Sequence, residues 1–359
     1  MKQQNYNVIG VMSGTSLDGV DIAYITLSYD INGWSYTIHE ADTISYSLEW
    51  VNILKEAVNY TAGTLNNLDD KYTLLLAGIV NDFIAKNEIK NIDAICSHGH
   101  TILHQPEQGI TLQIGNLPKL AELTGETVVC NFRKQDVELG GQGAPLVPIG
   151  DRLLFNSYDF CLNLGGFSNI SFEAGNNRIA YDICPVNTVL NYYAAKLDYS
   201  YDDSGKIAAS GKIIPGLMAI LNELNYYKAS YPKSLGVEFV RDVILPIIEK
   251  CTDTIKDKLC TFTEHIAMQI AKSVTRDNKA YASLLITGGG TYNTFLIERI
   301  KSFLPHVTIT LPDDKTIQYK EALIFALLGV LKLRGEVNVL SSVTGSPYDH
   351  SSGVIIRPK

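Results

Sequence analysis

One pattern, written twice, limits what this chain can fold into. Residues 10–25, GVMSGTSLDGVDIAYI, pass from an apolar stretch through Ser13, Gly14, Thr15 and Ser16, past Leu17, Asp18, Gly19, Val20 and Asp21, and into a second apolar stretch. Residues 161–173, CLNLGGFSNISFE, repeat the scheme around Gly165 and Gly166. Apolar, β-branched runs interrupted by glycine and small polar residues read as strand, tight turn, strand. Each hairpin is followed by further strand and helix signals, so the pattern predicts a duplicated α/β unit. The 359 residues are enough for two domains.

The rest of the chain fills in the two cycles. WSYTIHEADTISYS alternates as a third strand, and from Leu48 to Asn87 apolar residues recur three and four apart, as on a helix. IDAICSHG reads as a short buried strand, and TLQIGNLPKLAELTGETVVCNF as turn, helix, strand. In the second cycle RIAYDI is the next strand, with helices expected near 188–197, 215–224 and 261–275. ASLLITGGG is a buried strand running into three glycines, TYNTFLIERIKSFL a helix, and YKEALIFALLGVLKLRG an apolar helix stopped by Gly335.

Composition excludes several classes. The chain is 46% hydrophobic and 19% charged, with net charge −8, and no run of Lys or Arg stands out. That argues against nucleic acid or an anionic membrane as partner. No apolar run is long enough to span a bilayer. The opening MKQQNYNVIGVMSG has no signal-type apolar stretch, and six scattered cysteines form no C-x-x-C. Reduced thiols and a cytoplasmic location are expected.

Three glycine-rich turns, SGTSLDG, NLGGFSN and TGGGTYN, each end an apolar strand, where α/β folds place ligands. One such turn alone is an ordinary hairpin. Together they suggest a phosphate tail, with glycine backbone N–H groups approaching anionic oxygens. Asp18 and Asp21 suit that turn if Mg²⁺ sits there, directly or through water. Arg133 and Asp136, in NFRKQDVELGGQGAPLVP, precede a Gly/Pro-rich loop. They read as a ligand-shaping pair or as a surface ion pair. His98, His100 and His104 have spacings that zinc could use, but no fourth ligand is evident; sugar contacts or structural hydrogen bonds suit them better. Glu321 opens an apolar helix, where a carboxylate favours the helix dipole.

GVMSGTSLDGVDIA, SHGHTILHQP, LQIGN, NFRKQDVELGGQGAPLVP, NLGGFSNI, ITGGGTYN and EALIFALLG stand in the order of the blocks of one family, and the chain resembles the anhydro-N-acetylmuramic acid kinases over nearly its whole length. The resemblance implies an α/β, two-lobed, duplicated ribonuclease-H-like fold of the actin/hexokinase type with a central cleft. Residues 1–130 would form the first lobe, 131–335 the second, and 336–359 would pack back on the first. The implied reaction uses ATP and Mg²⁺ to open the 1,6-anhydro bond with water and to phosphorylate O6. The implied nucleotide site comprises Gly14 to Asp21, Gly165, Gly166, Gly288, Gly289 and Gly290. Asp18 and Asp21 are the metal candidates, and Arg133, Asp136, His100 and Glu321 the sugar contacts. The family's general base falls in a block that usually reads FDTGPGN; here YDICPVN assigns the role to Asp182. Asp182 also fits a helix N-cap. Cys184, Val186 and Asn191 depart from the family pattern, which leaves a related sugar kinase with another substrate as the alternative. A nucleotide-gated binding protein of the same fold is the other reading, and a homodimer is implied by resemblance alone.

Overall fold

The computed structural model describes residues 4–14, 17–276 and 281–359. Among the described residues twelve strands carry the fold: β1 Gln4–Ser13, β2 Gly19–Asp30, β3 Gly33–Ser45, β4 Ala94–Gln105, β5 Ile110–Ile114, β6 Val128–Cys130, β7 Phe160–Leu164, β8 Phe167–Ala174, β9 Asn177–Pro185, β10 Ala282–Thr287, β11 Val307–Thr310 and β12 Val354–Ile356. They form two sheets, in the orders β12-β6-β4-β1-β2-β3, with β5 on β4, and β11-β10-β7-β8-β9.

Each sheet is built by the same rule. An antiparallel meander comes first, β1-β2-β3 or β7-β8-β9. Two strands are then added in parallel on the far side of the leading strand, β4 and β6 or β10 and β11. This is the duplicated ribonuclease-H-like topology. Parallel additions need crossovers, which the helices supply. The helix Ala62–Lys86 connects β3 to β4 and turns Leu65, Leu68, Tyr72, Leu76 and Val80 into the first core. The helix Ile255–Val274 precedes β10 and buries Leu259, Phe262, Ile266 and Ile270 in the second.

Two elements differ from the sequence expectation. TLQI is a strand, not a turn: β4 runs past the histidines to Gln105 and folds back through Gly109, φ 69°, to pair with β5. The helix expected from 261 starts at Ile255, because the Thr254 side chain accepts the Asp257 N–H at 3.2 Å and caps it there.

The chain divides into one compact unit of Met1–Leu154 with Tyr319–Lys359 and a second of Phe155–Gln318. The breaks expected at 130 and 335 therefore lie elsewhere, and the reason is packing. Ser352 Oγ donates to the Phe132 carbonyl at 2.6 Å, and Lys320 pairs with Asp151 at 2.7 Å with both side chains buried. Gly150 packs on Ile324, and a Cβ on Gly10 would lie 2.1 Å from the Ala322 carbonyl. Residues 131–154 and the helix from Tyr319 onward are thus core of the first unit. β12 adds an antiparallel edge to β6.

Candidate active site

In the first unit, the β1–β2 connection is held from below. Ser13, the last residue of β1, shares its hydroxyl with Tyr46 Oη at 2.6 Å and His100 Nδ1 at 2.7 Å, and Tyr46 meets Tyr72 Oη at 2.5 Å. Parallel pairing of Ser13 with His100 brings the two together. Burial pushes the His100 imidazole down to about 4, so it is neutral at physiological pH. His100 was expected at the sugar; it is 2% exposed and instead fixes the residue leading into the turn.

Thr15 and Ser16 lie outside the described residues. Gly14 is partly exposed, and Leu17 has a left-handed φ of 62°, a conformation that costs a non-glycine residue energy and clusters at functional turns. Gly19 is required by space: a Cβ there would stand 2.3 Å from the Ile44 carbonyl of β3. Val20 is fully buried, so only its backbone is left for a ligand. Asp18 is exposed. The half-buried Asp21 accepts from Thr43 Oγ1 at 2.7 Å; desolvation raises its carboxyl, the Thr43 bond opposes this, and the Asp18 charge adds to it.

Arg133 follows β6 and is gripped twice. Its Nε donates to His98 Nε2 at 2.8 Å and its Nη1 to the Gly143 carbonyl at 2.7 Å. His98 Nδ1 donates to the Gly99 carbonyl at 2.9 Å. A ring that gives a proton at Nδ1 and accepts at Nε2 is neutral, and burial followed by the Arg133 charge holds the His98 pKa far below its ordinary value. Burial lowers the guanidinium to about 10, with Glu321 opposing, so Arg133 stays charged. Glu321 reaches solvent, yet protein crowds it enough to raise its carboxyl; Arg133 counters this and Asp21 adds to it. Asp21, Arg133 and Glu321 therefore share one electrostatic neighbourhood.

Asp136 does not. Fully buried, it accepts from Gly143 N at 2.6 Å and Thr344 Oγ1 at 2.7 Å, with His350 Nε2 3.6 Å away. A Cβ on Gly141 would meet its Oδ2 at 2.3 Å. The sugar-contact expectation for Asp136 is corrected: its carboxylate is consumed in shaping the GGQG loop that presents Gly143 to Arg133. Thr344 and His350, which complete this clasp, and His98, which orients Arg133, are the residues that sequence reasoning missed in these roles.

In the second unit the NLGG and TGGG turns lie side by side, since β7 and β10 pair in parallel through Asn163 and Thr287. Gly288 has φ 87°, and its Cβ would meet Asn163 Oδ1 at 2.5 Å; that of Gly290 would meet Leu164 Cβ at 2.7 Å. Gly289 has nothing within 4 Å and faces a cavity of about 550 Å³ bordered by Asn191, Tyr201, Asp202 and Tyr292. The Gly165 and Gly166 carbonyls accept from Val186, Asn187 and Thr188 N–H at 2.8 to 3.3 Å. These bonds satisfy the free N-terminal amides of the helix Asn187–Ala195, which has no side-chain cap.

Asp182 is therefore not a helix cap. It sits inside β9, half-buried, opposite Asn169. Its Oδ2 accepts from Leu235 N at 2.9 Å, its N–H donates to Lys233 O at 3.2 Å, and its carbonyl accepts from Tyr226 Oη at 2.6 Å. Burial raises its carboxyl, partly offset by the Leu235 bond. Cys184 and Val186, where the family pattern has glycine, are both 0% exposed and belong to the core. Among the described residues no three His, Cys, Asp or Glu side chains cluster as a protein-only metal site, and no helix is long and apolar enough to cross a membrane.

The family model described as anhydro-N-acetylmuramic acid kinase matches residues 6–358. The anhydro-N-acetylmuramic acid kinase of Xylella fastidiosa is 35% identical, with 94% of this chain and 93% of the relative covered. That of Pasteurella multocida is 34% identical, with 99% and 98% covered. Among solved structures, a xylulose kinase from Rhodospirillum rubrum covers 99% of this chain and 94% of its own, at 10% identity and TM-score 0.44.

Proposed function

The chain belongs to the anhydro-N-acetylmuramic acid kinase family, and from that we infer its reaction: it opens 1,6-anhydro-N-acetylmuramic acid with water and phosphorylates O6 at the expense of ATP, giving N-acetylmuramic acid 6-phosphate. The observation that carries this is the family match across residues 6–358, which includes every turn and loop described above.

The residue roles follow from chemistry. Asp182 takes the proton of the attacking water. The water oxygen bonds to C1, the C1–O6 bond breaks, O6 accepts the γ-phosphoryl group, and ADP leaves. Burial raises the Asp182 carboxyl above the ordinary carboxylate range, which makes its carboxylate a stronger base than an exposed one. Arg133, fixed by His98 and Gly143, suits the lactyl carboxylate of the sugar, and Glu321 suits its hydroxyls. Backbone amides from Gly14 to Asp21 suit the phosphates, and the cavity at Gly289 suits the adenosine, with Gly165 and Gly166 beside it. The carboxylates of Asp18 and Asp21, close enough for one charge to act on the other, suit a divalent cation whose remaining ligands are water and phosphate oxygens. Mg²⁺ would supply charge neutralisation of the transferring phosphoryl group. Six cysteines that form no disulfide among the described residues suit a cytoplasmic enzyme, and the family resemblance suggests a homodimer.

Cys184 and Val186 fill the core of the second unit, so these departures from the family pattern put no side chain at its surface. The test is a coupled assay of ADP release. Release with anhydro-N-acetylmuramic acid and none with glucose or xylulose is expected; equal release with all three, or none with the anhydrosugar, refutes the assignment.

A further inference from the structure

A second cavity of about 240 Å³ lies in the second unit, on the other side of the strand that carries Asp182. Tyr181 and Ile183, which flank Asp182 in β9, line it, and strand alternation turns them away from the Asp182 face. Its remaining wall comes from the segment around Lys228 and Lys233 and from the last turn of the helix Ile255–Val274 with Arg276 beyond it.

The charge there is one-sided. Lys228, Lys233, Lys272 and Arg276 all line the cavity. Among the described residues, Glu223 is the acid that answers them, paired with Lys228 at 2.5 Å and feeling Lys272. Lys233 and Arg276 are held by aromatic faces instead. Lys233 Nζ stands 4.5 Å from the Tyr226 ring centre and donates to the Tyr226 carbonyl at 3.1 Å. Arg276 lies 4.9 Å over Tyr231, which stacks on Tyr181 with centroids 5.6 Å apart. Burial and the Arg276 charge both disfavour the ammonium of Lys233. The helix C-terminus attracts cations to its carbonyls, which accounts for Lys272 and Arg276 but not for Lys228 and Lys233, which come from a different segment.

Lys233 and Arg276, kept in place by rings and not by carboxylates, retain N–H donors for a multiply charged anion, and Lys272 adds a third cation beside them. We propose that this cavity is a binding site for a phosphate monoester, the phosphate taken by Lys233, Lys272 and Arg276 and its organic part by the Tyr181 and Tyr227 rings. The site is separate from the catalytic assignment and stands without it. Its location gives occupancy a mechanical consequence: Lys233 belongs to the segment whose residues Tyr226, Lys233 and Leu235 hold Asp182 at three atoms.

The test is titration calorimetry on the full chain with the nucleotide site saturated by a non-hydrolysable ATP analogue. The probes are inorganic phosphate and glucose 6-phosphate, and the comparison is K272E/R276E, two exposed positions outside the catalytic residues. One equivalent of glucose 6-phosphate binding more tightly than inorganic phosphate is expected, with affinity at least about tenfold lower in the double variant, the scale of a lost charge-assisted hydrogen bond. The variant keeps the wild-type melting temperature and KM for ATP. Binding of inorganic phosphate as tight as the sugar ester removes the organic half of the proposal. No binding at millimolar probe, or equal binding by the folded double variant, overturns it.

Discussion

Three adjacent glycines make the sharpest test of the nucleotide assignment, because the structure gives each a different reason to be glycine. At Gly288 the backbone is left-handed, φ 87°, and a Cβ would stand 2.5 Å from Asn163 Oδ1 and 2.8 Å from the Leu164 carbonyl. At Gly290 the obstacle is Leu164 Cβ at 2.7 Å. Gly289 meets no atom within 4 Å and borders the 550 Å³ cavity. Valine at 289 therefore adds its side chain to ligand space and not to protein. Overpacking costs about 1–3 kcal/mol, which becomes a roughly 5- to 150-fold rise in the dissociation constant for ATP. Gly288→Val instead strains the fold, by about 1–3 kcal/mol for the backbone alone, and lowers the melting temperature by several degrees. The assay pairs thermal melting with ATP titration for both variants. A Gly289→Val protein with native melting and unchanged ATP affinity refutes the placing of adenosine here.

Asp182→Asn still accepts the Leu235 amide, so both ligands bind while kcat falls by ~10²- to 10⁴-fold, the usual worth of a general base; near-normal turnover in steady-state kinetics returns Asp182 to a purely structural role. Thr344→Val removes one donor from the fully buried Asp136, and denaturant unfolding is expected to show a loss of about 1–3 kcal/mol; no loss means that Asp136 is held without it. His100 is neutral when folded because its pKa lies near 4. The unfolded ring takes its proton first, so stability falls as pH drops from about 6.5 toward 4, by up to ~1.4 kcal/mol per pH unit from this group. His100→Gln, measured by unfolding across that range, is expected to flatten the slope by one proton, and an unchanged slope contradicts the assignment.

The fold was legible because it rests on local signals that occur twice. Glycine between β-branched runs marked both hairpins, and the parallel additions followed from strand and helix patterns of ordinary length. Domain edges were less legible, since no composition change marks residues 131–154. Their allegiance depends on Asp151 meeting Lys320 and on Phe132 meeting Ser352, contacts between residues far apart in the chain. The extra hairpin of β4 and β5 was hidden for a related reason: polar SHGHT looks like the end of a strand until Ser13, itself bonded to Tyr46, is seen to satisfy His100.

The site shows the same division between what a motif names and what burial decides. Arg133 and Asp136 look equivalent in NFRKQDVE, two charged residues before a glycine loop. Four hydrogen bonds separate them in three dimensions: His98 and the Gly143 carbonyl hold Arg133 as a charged fork, while the Gly143 amide and Thr344 hold Asp136, with His350 close by. Gly143 serves both, giving its carbonyl to one and its amide to the other. The buried acid therefore acts on the arginine through a single residue. This explains why the loop tolerates a fully buried carboxylate: replacing Asp136 by a smaller polar residue would release Gly143, and with it one of the two bonds that set the guanidinium plane.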